Sequence, residues 1–188
     1  MGVNAHMQRD DASSLPYVHL EDYISQPGET KIQFLRRVGV ELRRYADRTT
    51  YEACGTIASD GQRWGIVIGT SDSHIGCIVH SSKVLPGMVS TGESIHTHGR
   101  KNFTFHVTAI DALFAGAVDG MRMQSGDVYH FSATDYGAPG YLATPDGLRY
   151  EDGHPGSERE VIDEGEDIHA DAISMRSGES SSQPNRTH

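Results

Sequence analysis

The sequence predicts an α/β domain: a curved, mixed β-sheet with one amphipathic helix packed on it and a candidate metal site at one sheet edge. Three observations predict it. Residues 29–46 carry Ile32, Leu35, Val38, Leu42 and Tyr45 at three- and four-residue steps, the period of a helix with one buried stripe. A series of short apolar and β-branched runs, broken by turn residues, follows this helix. Near the middle, Glu93-Ser94-Ile95-His96-Thr97-His98-Gly99 sets two histidines at i and i+2, which places both imidazoles on one face of a strand.

Each element has a local reason. Residues 1–16 are polar and read as a flexible arm ahead of a single domain at 17–151. Arg36, Arg37, Arg43 and Arg44 lie mostly off the helix stripe and read as a solvated face. Residues 51–58 and 63–69 read as strands around the turn Ser59-Asp60-Gly61, and 75–80 as a third strand. A loop over 81–92 with the turn signal Pro86-Gly87 leads into the His-x-His strand. Residues 108–118 suit a short helix with Thr108 and Asp111 as a capping pair, and 121–126 a loop. Tyr141-Leu142-Ala143-Thr144, the turn Pro145-Asp146-Gly147 and Leu148-Arg149-Tyr150 make a hairpin. Residues 152–188 form an acidic, serine-rich tail expected to be disordered.

Composition narrows the function classes. The 188 residues carry a formal net charge of -10, which argues against nucleic acid or an anionic membrane as the main partner. No run has the length and apolarity of a membrane span or a signal-peptide core. The expectation is a soluble chain, cytoplasmic at synthesis, although export by a specialised secretion system would leave no readable mark. Cys54 and Cys77 are expected as two buried thiols of a reducing compartment, with a disulfide or a thiolate ligand as the alternatives.

Three pieces line up along the chain. Tyr51-Glu52-Ala53-Cys54-Gly55 puts a glutamate at the head of a strand, His96-Thr97-His98 supplies two imidazoles, and Ser132-Ala133-Thr134-Asp135 supplies a hydroxyl and a carboxylate three residues apart. Alone, Glu52 is an ordinary strand-edge charge and Ser132 with Asp135 an ordinary cap or Asx turn. In the order Glu … His-x-His … Ser-x-x-Asp they resemble the JAMM (JAB or MPN-plus) zinc metallopeptidase superfamily. Phe131-Ser132 with Asp135, followed by Gly140-Tyr141-Leu142-Ala143-Thr144-Pro145-Asp146-Gly147, is similar to its bacterial branches. The resemblance covers roughly residues 30–151.

The resemblance implies a JAB/MPN-like (cytidine-deaminase-like) core, with Zn2+ held by His96, His98 and Asp135 and a fourth position kept for water. Glu52 is then the general base and Ser132 the donor to the oxyanion. Two departures stand out. Gly99 occupies the place of the family's proline, and the segment 99–131 is far longer than the usual spacing between the two motifs. Residues 99–130 therefore read as an insertion, a candidate flap over the cleft. Asp111, behind Thr108, sits nearer the usual spacing and is the rival third ligand; the hairpin after Asp135 favours Asp135. The expected activity is hydrolysis of a peptide or isopeptide bond in a polypeptide partner, such as a ubiquitin-like tail or a peptidoglycan peptide. The alternatives are a catalytically silent JAB/MPN-like protein-binding scaffold and a zinc amidase acting on a small or cell-wall substrate.

Overall fold

The computed structural model describes residues 15–115 and 118–162. Most of the expected arm and the tail beyond Ile162 lie outside the described residues. The chain is mixed α and β, with β strands the larger part. Helix α1 spans Lys31–Thr49. Its start is fixed by a capping box: Thr30 accepts from the Gln33 amide, and the Gln33 side chain accepts from the Thr30 amide. Thr50 closes it in a left-handed conformation, its N–H donating to the Ala46 carbonyl. These caps shift the helix two residues later at its start, and three at its end, than the apolar stripe suggests.

Seven strands form the main sheet in the order β1-β3-β2-β4-β7-β8-β9, where β1 is Val18–Ile24, β2 Cys54–Ser59, β3 Trp64–Thr70, β4 Val89–His96, β7 Gly140–Thr144, β8 Gly147–Glu151 and β9 Arg159–Glu160. Only β4 and β7 run parallel; every other neighbouring pair is antiparallel, so the sheet is mixed. The hairpin of β7 and β8 turns at Pro145-Asp146, within the expected Pro145-Asp146-Gly147 turn. Ile32, Leu35, Val38 and Leu42 of α1 pack on Ile57, Ile66, Ile95 and Leu148 to make the main core.

A second unit lies in the segment between β4 and β7. It contains β5 (Thr104–His106), α2 (Ala109–Ala115) and β6 (Arg122–Gln124), with β5 and β6 paired antiparallel. Thr108 and Asp111 cap α2 reciprocally, as their spacing suggests. Phe105, Val107 and Phe114 pack with Ile75 and Ile78 in a separate small core. Strand β6 falls where a loop is expected, because the pairing partner at Phe105 is not visible from local composition.

Three expectations are corrected. Residues 75–80 are not a strand: Ile75 and Ile78 face the small core, while Cys77 and Val79 pack on Cys54. The Ile78 amide donates to the Ser71 hydroxyl instead of a ladder partner. Cys54 and Cys77 are joined in a disulfide rather than standing as separate thiols. Arg43 does not lie on a solvated face; it is 6% exposed and donates to the His98 carbonyl at 2.7 Å, reaching from α1 to the end of β4.

One buried ion pair pins α1 to β4. The Lys31 ammonium meets Glu93, both side chains being under 5% exposed, and it also lies over the rings of Trp64 and Tyr141. Lys31→Met leaves a buried, uncompensated carboxylate and is expected to cost about 3–5 kcal/mol in urea unfolding, with Lys31→Met/Glu93→Leu recovering most of it. The disulfide closes a loop over a sequence separation of 23 residues, so Cys54→Ala/Cys77→Ala is expected to lower stability by about 2–4 kcal/mol. An unchanged urea midpoint in either case would contradict these assignments.

Candidate metal centre

The site forms where the ends of β2 and β4 meet. Cys54 pairs with His96, and the Thr97 amide extends the ladder by one bond to the Ala53 carbonyl. Glu52, two residues before β2, is therefore drawn alongside the His-x-His segment. His96 is the last residue of β4; His98 lies just past it, in chain that stays extended enough to keep both rings together, 5.3 Å between centroids. The parallel pairing of β4 with β7 then brings in the turn that precedes β7, which carries Ser132 and Asp135.

The three side chains converge. His98 Nε2 lies 3.3 Å from one Asp135 oxygen and His96 Nε2 lies 3.7 Å from the other. One ligand atom from each lies within 4.8 Å of the others, so the group could hold a metal ion. Their surroundings prepare them for it. The Asp127 carbonyl can only accept, so His98 Nδ1 donates to it at 2.6 Å, and Nε2 is turned toward Asp135. The Ser132 amide donates to Asp135 at 2.6 Å. Among the described residues, both ring nitrogens of His96 are buried without a hydrogen-bond partner. An unpaired buried nitrogen is costly unless something binds it, which a metal ion would do for Nε2, the nitrogen that faces Asp135.

Electrostatics point the same way. Burial pulls the His98 imidazole down, but the hydrogen bond and charge of Asp135 together with the charge of Glu52 outweigh it and push it up to about 9. Burial works to raise Asp135, yet His96 and His98 beside it hold its carboxyl well below the usual range. A pocket that draws positive charge to these atoms also favours a cation there. Glu52 is 7% exposed, and burial pushes it up to about 8 against the attraction of His98.

Glu52, His98, Gly99, Asp127 and Ser132 line one narrow cleft whose inner space, about 30 Å³, is enough for a water molecule. A larger groove of about 960 Å³ runs between α1 and the β7–β8 turn, but it contains none of Glu52, His96, His98, Ser132 and Asp135. Gly99 is there because a side chain has no room: a Cβ would lie 2.9 Å from the Thr50 carbonyl oxygen and 3.1 Å from that of His74. Ser132 is 5% exposed, and its hydroxyl pairs with Thr134 at 2.9 Å.

Asp111 is not among the converging ligands. It is fully buried and accepts from the Ser73 hydroxyl, the His74 amide, His74 Nδ1 and the Thr108 amide, all within 2.9 Å. Its role is to bind α2 to the loop over 71–80. Sequence reasoning passed over His74 and the carbonyl of Asp127, since neither a loop histidine nor a backbone oxygen has a pattern that marks it.

Burial alone would raise the Asp111 carboxyl, but the bonds from His74, Thr108 and Ser73 outweigh it and bring it to about 2, below its ordinary value of 3.8. A depressed pKa contributes stability that is complete above the unfolded value and fades as pH falls through the folded one. Between about pH 4.5 and 2.5 the urea midpoint of the native chain should therefore fall more steeply than that of Asp111→Asn. Equal slopes would contradict an ionised Asp111.

No family model, no curated protein and no solved structure matches this chain.

Proposed function

We propose that this chain is a zinc-dependent metallopeptidase or isopeptidase of the JAMM (JAB, MPN-plus) type, with a JAB/MPN-like core, that hydrolyses a peptide or isopeptide bond in a polypeptide. The observation that carries this reading is the convergence of both His Nε2 atoms on the two oxygens of Asp135 beside a buried Glu52. One ligand atom from each of His96, His98 and Asp135 lies within 4.8 Å of the others, so the three side chains would be able to hold one ion between them. The donor set of two imidazoles and one carboxylate suits zinc and leaves a fourth position for water.

Zinc, when bound, lowers the pKa of a water from about 15.7 toward 7. The chain's residues do the rest. Glu52 takes the water's proton and returns it to the leaving amine. Its burial keeps the carboxyl close to working pH, and positive charge at the ligands favours its ionised form. The Glu52 backbone is held for this: its amide donates to the Ser73 carbonyl at 2.9 Å and its carbonyl accepts from the Thr70 hydroxyl at 2.7 Å. Ser132 turns its hydroxyl from Thr134 to the oxyanion as charge develops, an interaction typically worth about 3–4 kcal/mol of barrier. The Cys54–Cys77 disulfide supports action in an oxidising compartment after export.

Metal analysis and one variant test the reading together. The native chain is expected to purify with one zinc. Glu52→Gln is expected to keep the metal and lose about 10²–10⁴-fold in cleavage of a panel of ubiquitin-like C-terminal amides and cell-wall stem peptides. A chain without stoichiometric zinc would support a binding scaffold instead, and undiminished turnover in Glu52→Gln would overturn the assigned base.

A further inference from the structure

The cleft contains a second oriented imidazole that the hydrolytic reading does not use. His74 lies on the loop over 71–80 and is one of the residues that line the cleft together with Glu52, His98 and Ser132. The ring is fixed on three sides. Its face stacks on Phe105 with centroids 4.4 Å apart, and Tyr51 meets it edge-on at 4.8 Å. Its Nδ1 faces Asp111 at 2.8 Å, and the backbone N–H of the same residue donates to the other Asp111 oxygen at 2.7 Å.

That arrangement sets the chemistry of the free edge. Asp111 already accepts from the Ser73 hydroxyl and the Thr108 amide, and an ionised carboxylate can only accept. The proton therefore sits on Nδ1, and in the neutral ring Nε2 carries the lone pair. Nε2 makes no hydrogen bond among the described residues and is not sealed from solvent, the His74 side chain being 11% exposed. An acid that locks an imidazole while leaving its second nitrogen open beside a cleft is the orienting half of a relay. Among the described residues no serine or cysteine hydrogen-bonds to Nε2, so the missing partner is supplied by what enters the cleft.

We infer that His74 is a substrate-binding residue whose Nε2 accepts a backbone N–H of the polypeptide beside the bond to be cut. This rests on the hydrolytic reading and narrows it: a group held to accept favours a substrate with a peptide backbone over a small amide. It also gives the β5–α2–β6 unit a function. Asp111 and Phe105 both belong to that unit, so the unit sets the angle at which the cleft presents His74.

The test uses calorimetry on the zinc-loaded full chain with two chelating probes. Acetohydroxamate offers only the chelating group; acetylglycylglycine hydroxamate adds backbone N–H groups. The native chain should bind the peptidyl probe more tightly. His74→Phe, which keeps the stack, should lose about tenfold on the peptidyl probe and nothing on acetohydroxamate at unchanged zinc content, while the lost bond to Asp111 lowers the melting temperature. His74→Gln, whose amide nitrogen can meet Asp111 while its oxygen accepts, should recover most of the loss. Equal losses on both probes, or none on either, would overturn the inference. Failure of the zinc-loaded native chain to bind acetohydroxamate would instead overturn the metal-site reading, and this inference with it. In the metal-free chain, imidazole ¹⁵N spectra at about pH 8 should show His74 protonated on Nδ1, with Nε2 shifting when acetylglycylglycine amide is added. A proton on Nε2 under those conditions would also overturn it.

Discussion

The antiparallel pairing of β2 with β4 is the constraint on which the site depends. Its register sets Cys54 opposite His96 and carries one bond further, from the Thr97 amide to the Ala53 carbonyl. A shift by a single residue would turn both imidazoles to the opposite face and remove Glu52 from their side. The register is held by what lies on either face. Ile57 and Ile95 are fully buried under α1, and the disulfide fastens the first residue of β2 to the loop beyond β3. The fold and the candidate site are therefore held by the same few backbone bonds.

A second layer of contacts converts that register into a site. Arg43 reaches from the buried side of α1 to the His98 carbonyl, so the helix supports the end of the strand as well as covering the sheet. The Asp127 carbonyl turns the His98 ring, and the Ser132 amide turns the Asp135 carboxylate. The contacts from Arg43 and Asp127 come from chain distant in sequence, while Ser132 lies three residues before Asp135. Holding each ligand through such a partner limits how far it moves when charge arrives, which is what a metal site needs.

Much of this was legible in the sequence, and the limits were physical. The stripe of Ile32, Leu35, Val38 and Leu42 has a strong period, so α1 was readable to within a few residues. The i, i+2 spacing of His96 and His98 and the order of Glu52, Ser132 and Asp135 were readable as well, but the five lie at the ends of the interior strands β2 and β4 rather than at the expected sheet edge, because β4 is paired on both sides. What failed was whatever depends on a distant partner. Strands β1, β5, β6 and β9 are short or exposed and carry little alternation, so they exist through pairing rather than propensity. The apolar run at 75–80 looked like a strand because burial alone resembles one. Arg43 looked solvated because its partner is a backbone carbonyl 55 residues away. Asp111 and Asp135 each stood three residues after a hydroxyl, and only the fold shows that one caps a helix and the other faces two imidazoles.

The central claim is that His96, His98 and Asp135 bind one zinc ion. X-ray absorption at the zinc edge of the metal-loaded chain tests it most directly. The expected spectrum has a first shell of nitrogen and oxygen only, at about 2.0–2.1 Å, with the outer-shell scattering of two imidazoles. The imidazole signal should fall by half in His98→Ala. A shell containing sulfur, or an imidazole signal unchanged in that variant, would contradict the account.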